Sequence, residues 1–140
     1  MRAVIDNNLL VSGLLWTGKP GRLLAAVANG QIRIFITQEL LAELRQVLQR
    51  EKFAARLALK QLTPESALAT AQAVAQLVQA APIAAPPALR DPDDLPVLAC
   101  AVAAAVDAVI TGDHDLLSLK SFEGIPIIDA AEALKRLGLS

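Results

Sequence analysis

Residues 108–113, Ala-Val-Ile-Thr-Gly-Asp, join a short β-branched run to a polar turn that ends in an acid. Three further runs share this pattern of apolar residues followed at once by a polar side chain: residues 3–5 before Asp6, residues 32–36 before Thr37, and residues 125–128 before Asp129. Short apolar runs of this composition, bounded by Gly, Asn or Asp, predict buried strands. The sequence therefore predicts a sheet of several short strands.

Helical patterns fill most of the sequence between these runs. Thr37 is expected to cap a helix through about Arg50, because Leu40, Leu44 and Leu48 form one apolar stripe. Other helices are predicted over residues 8–16, 21–29, 63–81, 94–105 and 130–137. The proline-rich stretch 82–87 breaks the pattern and leaves room for another short strand. Alternating strands and helices predict an α/β fold: one domain over residues 1–140, with a mostly parallel sheet covered on both faces.

The composition excludes several classes of protein. The chain is 54% apolar and 19% charged, which does not fit a disordered tail. Its net charge of −1 does not indicate a strongly basic nucleic-acid binder, and one Trp with no Tyr argues against base stacking as the main binding mode. The longest apolar run, residues 95–106, is shorter than the roughly 20 residues of a membrane span, and the acid at position 6 does not fit a signal peptide. We expect a soluble, cytoplasmic protein without a membrane partner.

The metal-binding residues available to the chain are mainly acids. Its one cysteine and one histidine exclude an internal disulfide and a His/Cys zinc cage. Cys100 lies in an apolar helix and is expected to be a small core residue, whereas His114 is expected to be exposed. Any bound metal must therefore be held mainly by oxygen.

Four acids fall near the predicted edge of the sheet where ligands bind, beyond the carboxyl ends of the strands. Asp6 and Asp113 follow predicted strands, Asp94 begins a helix, and Glu43 flanks an apolar helical stripe. Structural alternatives stay open, because Asp94 can stabilise a helix N-terminus, Glu43 can be solvated, and Asp113 with Asp115 can shape a turn.

Together, four converging carboxylates would repel one another unless a cation binds between them. Oxygen ligands alone favour Mg²⁺ or Mn²⁺. Such a site indicates metal-assisted phosphodiester hydrolysis, which needs no nucleophilic side chain.

Four blocks of this sequence, in order, resemble PIN domains. Residues 4–12 are similar to the opening motif, which usually reads Asp-Thr-Asn, whereas this chain has Asp-Asn-Asn. Residues 39–48 resemble the helix of the second acid, residues 90–94 the third acidic block, and residues 111–117 the fourth. The resemblance extends from residue 3 to about 129. It is nearest to the small prokaryotic PIN proteins that act as toxins of toxin–antitoxin pairs.

The resemblance implies a three-layer α/β/α sandwich that binds Mg²⁺ or Mn²⁺ and acts as an endoribonuclease on RNA. It also implies a cognate antitoxin and a homodimer or larger assembly as partners. The implied catalytic and metal-binding acids are Asp6, Glu43, Asp94 and Asp113, and the implied supporting residues are Asn8, Thr111, Asp91 and Asp115. Two positions depart from the pattern: Asn7 replaces the usual threonine, and Leu95 replaces an acid found in many relatives. The third ligand is therefore Asp94 or, as the alternative, Asp91.

Residues outside the acidic blocks are candidates for contacts with RNA or a partner. The basic residues Arg45, Arg50, Lys52, Arg56 and Lys60 are opposed in this region only by Glu51. They are expected to contact phosphates, although a solvated helical face is an equal alternative. Trp16 is expected to close the core beneath a loop, with an exposed anchor for a dimer or antitoxin as the alternative.

Two other functions compete with the nuclease. The chain can be a catalytically inactive PIN-like binding or regulatory module, because of the departures at Asn7 and Leu95. A phosphohydrolase with an aspartyl nucleophile at Asp6 is disfavoured, because that chemistry usually needs a second acid two residues later, where this chain has Asn8.

Overall fold

The computed structural model of the chain describes residues 1–139, and a six-stranded sheet forms its centre. The strands are β1 (Arg2–Ile5), β2 (Arg33–Ile36), β3 (Ala75–Leu77), β4 (Ala108–Ile110), β5 (Ser121–Phe122) and β6 (Ile125–Ile128). Their order in the sheet is β3-β2-β1-β4-β6-β5. All neighbouring strands are parallel except β5, which runs antiparallel to β6. The predicted mostly parallel sheet is confirmed.

The central strands β1 and β4 are buried, as strands covered on both faces must be. They pair in register, with Val4 opposite Val109 and Ile5 opposite Ile110. Val4, Val109 and Ile110 are almost completely buried. The apolar runs that predict these strands are therefore apolar because both of their faces lie in the core.

Eight α-helices are present within residues 1–139: α1 (Asn7–Leu15), α2 (Lys19–Ala28), α3 (Gln38–Leu48), α4 (Glu51–Leu59), α5 (Pro64–Val74), α6 (Leu95–Ala104), α7 (His114–Leu117) and α8 (Ala130–Arg136). A short 3-10 turn, Pro92–Asp94, precedes α6. The connections from β1 through β3 move towards one side of the sheet, and those from β3 through β6 move towards the other. Right-handed crossovers therefore place the two groups of helices on opposite faces. The three-layer α/β/α sandwich is confirmed.

Local signals in the sequence place several helix ends correctly. Thr37 Oγ1 accepts a hydrogen bond from the backbone N–H of Leu40 at 3.2 Å, which caps α3 as expected. Thr63 and Ser66 form a reciprocal capping box at the start of α5. The helix predicted to reach Arg50 ends at Leu48, and a separate helix, α4, follows it.

The helix predicted over residues 63–81 is wrong beyond Val74. Residues 75–77 form β3 instead, and they pair with β2 so that Leu77 lies opposite Ile36. Ala, Gln and Leu favour a helix locally, but pairing with a neighbouring strand overrides this local preference. The proline-rich stretch 82–87 forms neither helix nor strand, so the additional strand lies before it.

Cys100 and His114 have the burial that the sequence predicts. Cys100 is fully buried in α6, and burial raises the pKa of its thiol to about 12. His114 is exposed, as predicted. Among residues 1–139, no helix combines the length and apolar character that crossing a bilayer requires.

Candidate metal centre

The candidate site begins at the carboxyl ends of the two central strands. Asp6 directly follows β1, and its backbone N–H donates to the carbonyl oxygen of Ile110, the last residue of β4. Thr111 directly follows β4 and is fully buried. Parallel pairing therefore brings two polar side chains that are 105 positions apart to the same point of the sheet edge.

A single hydroxyl connects two of the acids. Thr111 Oγ1 donates to Asp6 Oδ2 at 2.9 Å and accepts from the backbone N–H of Asp113 at 3.0 Å. Asp113 Oδ1 in turn accepts from the backbone N–H of Asp115 at 2.9 Å, which fixes the turn into α7. Asp6 and the backbone of Asp113 are thus both fixed relative to the end of β4.

Three carboxylates lie close enough to share one ion. Asp94, Asp113 and Asp115 each place a carboxylate oxygen within 4.8 Å of the other two. These three side chains would together hold a divalent ion such as Mg²⁺, which carboxylate oxygens bind. Asp6 and Glu43 lie outside this group of three, whereas Asp115, implied by the resemblance only as a supporting residue, lies within it.

The pKa values of the clustered acids reflect burial and mutual repulsion. Burial raises the pKa of Asp6, the hydrogen bond from Thr111 partly offsets that rise, and the charge of Asp113 adds to it. Burial, together with a hydrogen bond and charge repulsion from Asp113, raises the pKa of Asp94 to about 7. The charges of Asp91 and Asp6 act on Asp94 in the same direction. The cluster therefore holds protons at a pH where isolated carboxyls would have lost them.

The donor set fits a divalent cation. Asp94 Oδ2 is buried and has no hydrogen-bond partner within the described part of the chain. A buried carboxylate oxygen without a partner is costly, and an ion coordinated at that oxygen would remove the cost. The neighbouring donors are all carboxylate oxygens, which suit Mg²⁺ or Mn²⁺ better than zinc.

Glu43 approaches the site from α3, and its pKa reflects the neighbours that it meets there. Burial raises the pKa of Glu43, and the negative charge of Asp6 raises it further. A hydrogen bond from the Asn7 side chain and the positive charge of Arg50 both act to lower it. Asn7 also donates from Nδ2 to the carbonyl oxygen of Leu40 at 2.9 Å. Asn7 therefore ties the end of β1 to the helix that carries Glu43.

The sequence does not reveal the role of Asn7. It indicates only that Asn7 stands where PIN domains usually have a threonine. Asn7 is 2% exposed, whereas the neighbouring Asn8 is exposed. The one available signal is that residue 7 begins a helix directly behind a buried strand, where the side chain is confined. Its contact with α3 depends on how α1 and α3 pack, which local sequence does not specify.

We expect Asn7→Ala to lower the free energy of unfolding by about 1–3 kcal/mol, because it removes a buried hydrogen bond. Mn²⁺ affinity should also fall about tenfold, since α3, which carries Glu43, loses its hydrogen bond to Asn7. Urea unfolding and titration calorimetry measure the two effects. The matched control is Asn8→Ala, which should change stability by no more than about 0.5 kcal/mol. Equal effects of the two substitutions would contradict the role assigned to Asn7.

Two of the implied supporting residues have other contacts in the structure. The side chain of Asn8 does not contact Asp6; its Oδ1 accepts from Arg50 Nη1 at 3.4 Å. Asn8 stabilises the charge of Asp6 through its backbone N–H, as Asn7 also does. Asp91 Oδ1 accepts from the backbone N–H of Asp93 at 2.9 Å and caps the 3-10 turn. Asp91 therefore shapes the approach to Asp94, which lies in the cluster itself.

The predicted basic residues do not share one environment. Arg50 is exposed and close enough to Glu43 to lower its pKa. Arg45 is exposed but lines a separate cleft with Gln49, Pro64, Glu65 and Leu68. Lys52 on α4 and Lys60 directly after it are exposed, whereas Arg56 is half-buried and donates from Nε to the carbonyl oxygen of Leu15 at 2.8 Å. Arg56 therefore already uses one of its donors in a contact within the fold.

The expectation that Trp16 closes the core is wrong. Trp16 ends α1 and is 39% exposed, because the chain turns there towards α2 and leaves the indole at the surface. Its ring packs edge-to-face on Phe53, with the ring centres 6.1 Å apart. The guanidinium of Arg56 lies 5.4 Å from the centre of the indole ring.

Comparison with known proteins agrees with this architecture. A family model described as PIN domain matches residues 2–115. No curated protein and no solved structure matches the chain. The matched residues include β1 with Asp6, α3 with Glu43, the start of α6 with Asp94, and the turn after β4 with Asp113. Because the match covers most of the chain, this protein belongs to the PIN domain family.

Proposed function

We propose that this chain is a divalent-metal-dependent endoribonuclease that hydrolyses RNA phosphodiester bonds. Its membership of a family whose members are generally nucleases supports the reaction class. The observation that carries the proposal is the gathering of acids at one sheet edge, with the unpartnered Asp94 Oδ2 among them. Such a cluster costs stability, and a function in binding a cation explains why the fold contains it.

Asp94, Asp113 and Asp115 are the residues that would hold the first ion, because their oxygens are closest together. Asp6 and Glu43 border these three acids. The charge of Asp6 raises the pKa of both Asp94 and Glu43. The catalytic set is therefore Asp6, Glu43, Asp94 and Asp113, and Asp115 joins it as a ligand. When bound, Mg²⁺ or Mn²⁺ supplies an activated water and neutralises charge on the phosphate.

The other residues of the site hold these acids in place. Thr111 fixes Asp6 and the backbone of Asp113, and Asn7 is hydrogen-bonded to the backbone of α3, the helix that carries Glu43. Burial of Thr111 and Asn7 keeps water away from their hydrogen bonds. The side chains gathered here include no serine or cysteine, and the Thr111 hydroxyl is held by Asp6 and the backbone of Asp113, so we propose that the attacking group is water.

The biological role that we propose is that of the toxin in a toxin–antitoxin pair. The nearness of the four sequence blocks to small prokaryotic PIN toxins supports it. A cognate antitoxin and a homodimer or larger assembly are the partners that follow from this proposal, and the cytoplasm is the compartment where RNA and such partners occur.

Metal removal tests the proposed reaction. The purified chain should cleave single-stranded RNA in Mn²⁺ or Mg²⁺, lose all cleavage in EDTA, and regain it when excess Mn²⁺ is added. Gel analysis of end-labelled RNAs of varied sequence measures this. Cleavage that persists in EDTA would contradict metal dependence. Inertness on all RNAs, with no divalent-ion uptake in calorimetry, would instead favour the inactive binding or regulatory module.

A further inference from the structure

Three cations form a single stripe along α4. Lys52, Arg56 and Lys60 follow one another at steps of four residues, which places them along one side of the helix. The one acid of α4, Glu51, lies about 100° around the helix from Lys52. The acid therefore lies to one side of the three cations and not among them. We call Lys52, Arg56 and Lys60 the basic stripe.

An exposed aromatic platform lies against this stripe. Arg56 is bound to the end of α1 through Leu15 and covers part of the Trp16 ring. Lys52 Nζ lies 5.0 Å from the ring centre of Phe53, which packs on Trp16. These contacts hold the indole in one orientation while 39% of Trp16 stays exposed. Holding an aromatic ring in place before binding reduces the entropy lost when a ligand stacks on it.

The acidic cluster and the platform lie at opposite ends of α1, which begins directly after Asp6 and ends directly before Trp16. Arg50, the residue before α4, donates to Asn8 at the site end of α1, and Arg56 of α4 donates to Leu15 at the far end. From Asn8 to Leu15, α1 makes seven residue steps, which rise about 10 Å. That distance corresponds to about three nucleotides of a stacked single strand. Arg50, beside Glu43, links the acids to the basic stripe.

We propose that the basic stripe and Trp16 form a docking surface for the single-stranded RNA that enters the acidic cluster. Phosphates contact Lys52, Lys60 and Arg50, and one base stacks on the exposed part of Trp16. Stacking on an aromatic ring beside cations is the usual way in which proteins bind single strands without reading their sequence. This assignment rests on the proposed ribonuclease function, since it names the route of that substrate.

The sequence offers a direct probe, because Trp16 is the only tryptophan and there is no tyrosine. A twelve-residue uridine RNA is titrated into the full chain in EDTA, where no cleavage interferes. Saturable quenching of the tryptophan emission is the expected result. Trp16→Leu should weaken binding about 5- to 150-fold, as loss of one stacked base predicts, and Trp16→Phe should restore most of it. Anisotropy of end-labelled RNA measures these affinities.

The cations are tested by salt dependence. Lys52→Gln should reduce the slope of log affinity against log salt by about 0.7, the value for one phosphate contact on a single strand. Lys135→Gln, an exposed cation on α8, is the matched control and should leave the slope unchanged. Because Lys52 is exposed, this substitution tests the surface even if Trp16→Leu impairs folding.

Two outcomes separate this surface from the nuclease itself. RNA-dependent quenching without cleavage in Mn²⁺ supports the docking surface and contradicts the reaction. Cleavage with unquenched Trp16 emission, and with unchanged affinity in Trp16→Leu and Lys52→Gln, overturns the docking surface and leaves the reaction intact. A dimer in sedimentation that Trp16→Leu dissociates, without any effect on RNA affinity, overturns the proposal as well, because the indole then binds a second copy of the chain.

Discussion

Asp6→Asn is expected to lower RNA cleavage by more than about 100-fold while the chain stays folded, since loss of a carboxylate of the catalytic set should exceed the effect of losing an outer-shell partner. The amide has the same shape as the carboxylate, and its oxygen can still accept the hydrogen bond from Thr111. It lacks the negative charge that attracts a cation. Because burial already opposes the charge of Asp6, removing that charge should not destabilise the core.

The matched control for this substitution is Asp129→Asn. Asp129 also follows a strand, β6, but its Oδ1 accepts from the backbone N–H of Glu132 at 2.9 Å and caps α8. The substitution should leave cleavage unchanged. Cleavage rates on one end-labelled RNA and melting curves of both variants give the comparison. Full activity of Asp6→Asn in a preparation free of contaminating nuclease would refute the assignment of Asp6.

Asp94→Asn should change activity and stability in opposite directions. Its pKa of about 7 lies above the ordinary value of 3.8, so the folded chain keeps a proton that the unfolded chain loses between these two pH values. The stability that this proton provides is complete below pH 3.8 and is lost as the pH rises through 7. Asparagine cannot ionise, so the variant does not lose stability as the pH rises. It does lose a carboxylate ligand for the metal ion.

Thermal unfolding at several pH values measures this effect. In EDTA at pH 8 the Tm of Asp94→Asn should exceed that of the natural chain by about 2–4 °C, and the difference should shrink towards pH 5. Adding Mn²⁺ should raise the Tm of the natural chain more than that of the variant, because only binding to the folded state stabilises it. Cleavage by the natural chain should rise with pH through 7. A variant that is less stable at pH 8 and equally active would contradict both roles of Asp94.

The strands of the core were the most predictable part of the fold. Residues 108–110 and 125–128 form strands with the predicted bounds, because both faces of parallel strands are buried and their sequence is apolar throughout. Strand β3 could not be predicted, since Ala75-Gln76-Leu77 lies at an exposed edge and takes its conformation from its pairing with β2. Helix α4 was missed because Arg50 separates it from α3 without a proline or glycine to mark the break.

The candidate site was predictable in its acids and less so in the residues that hold them. Asp6 and Asp113 follow buried strands, and that position alone brings them to one edge. Asn7 and Asn8 are the same residue type in consecutive positions, yet one is buried against α3 and the other is exposed. The packing of α1 against α3 decides that Asn7, and not Asn8, binds the helix that carries Glu43. The closeness of Asp115 to Asp94 likewise depends on the turn after β4, which brings together residues far apart in the chain.

Locating a bound cation would test the metal centre most directly. Crystals of the natural chain soaked in Mn²⁺, with anomalous scattering recorded near the manganese edge, show where the ion binds. We predict a peak within bonding distance of the carboxylate oxygens of Asp94 and Asp113, bordered by Asp6 and Glu43, and no such peak in crystals of Asp94→Asn. A peak only at another surface, or these acids pointing away from one another, would contradict the metal centre and leave the PIN fold without its proposed chemistry.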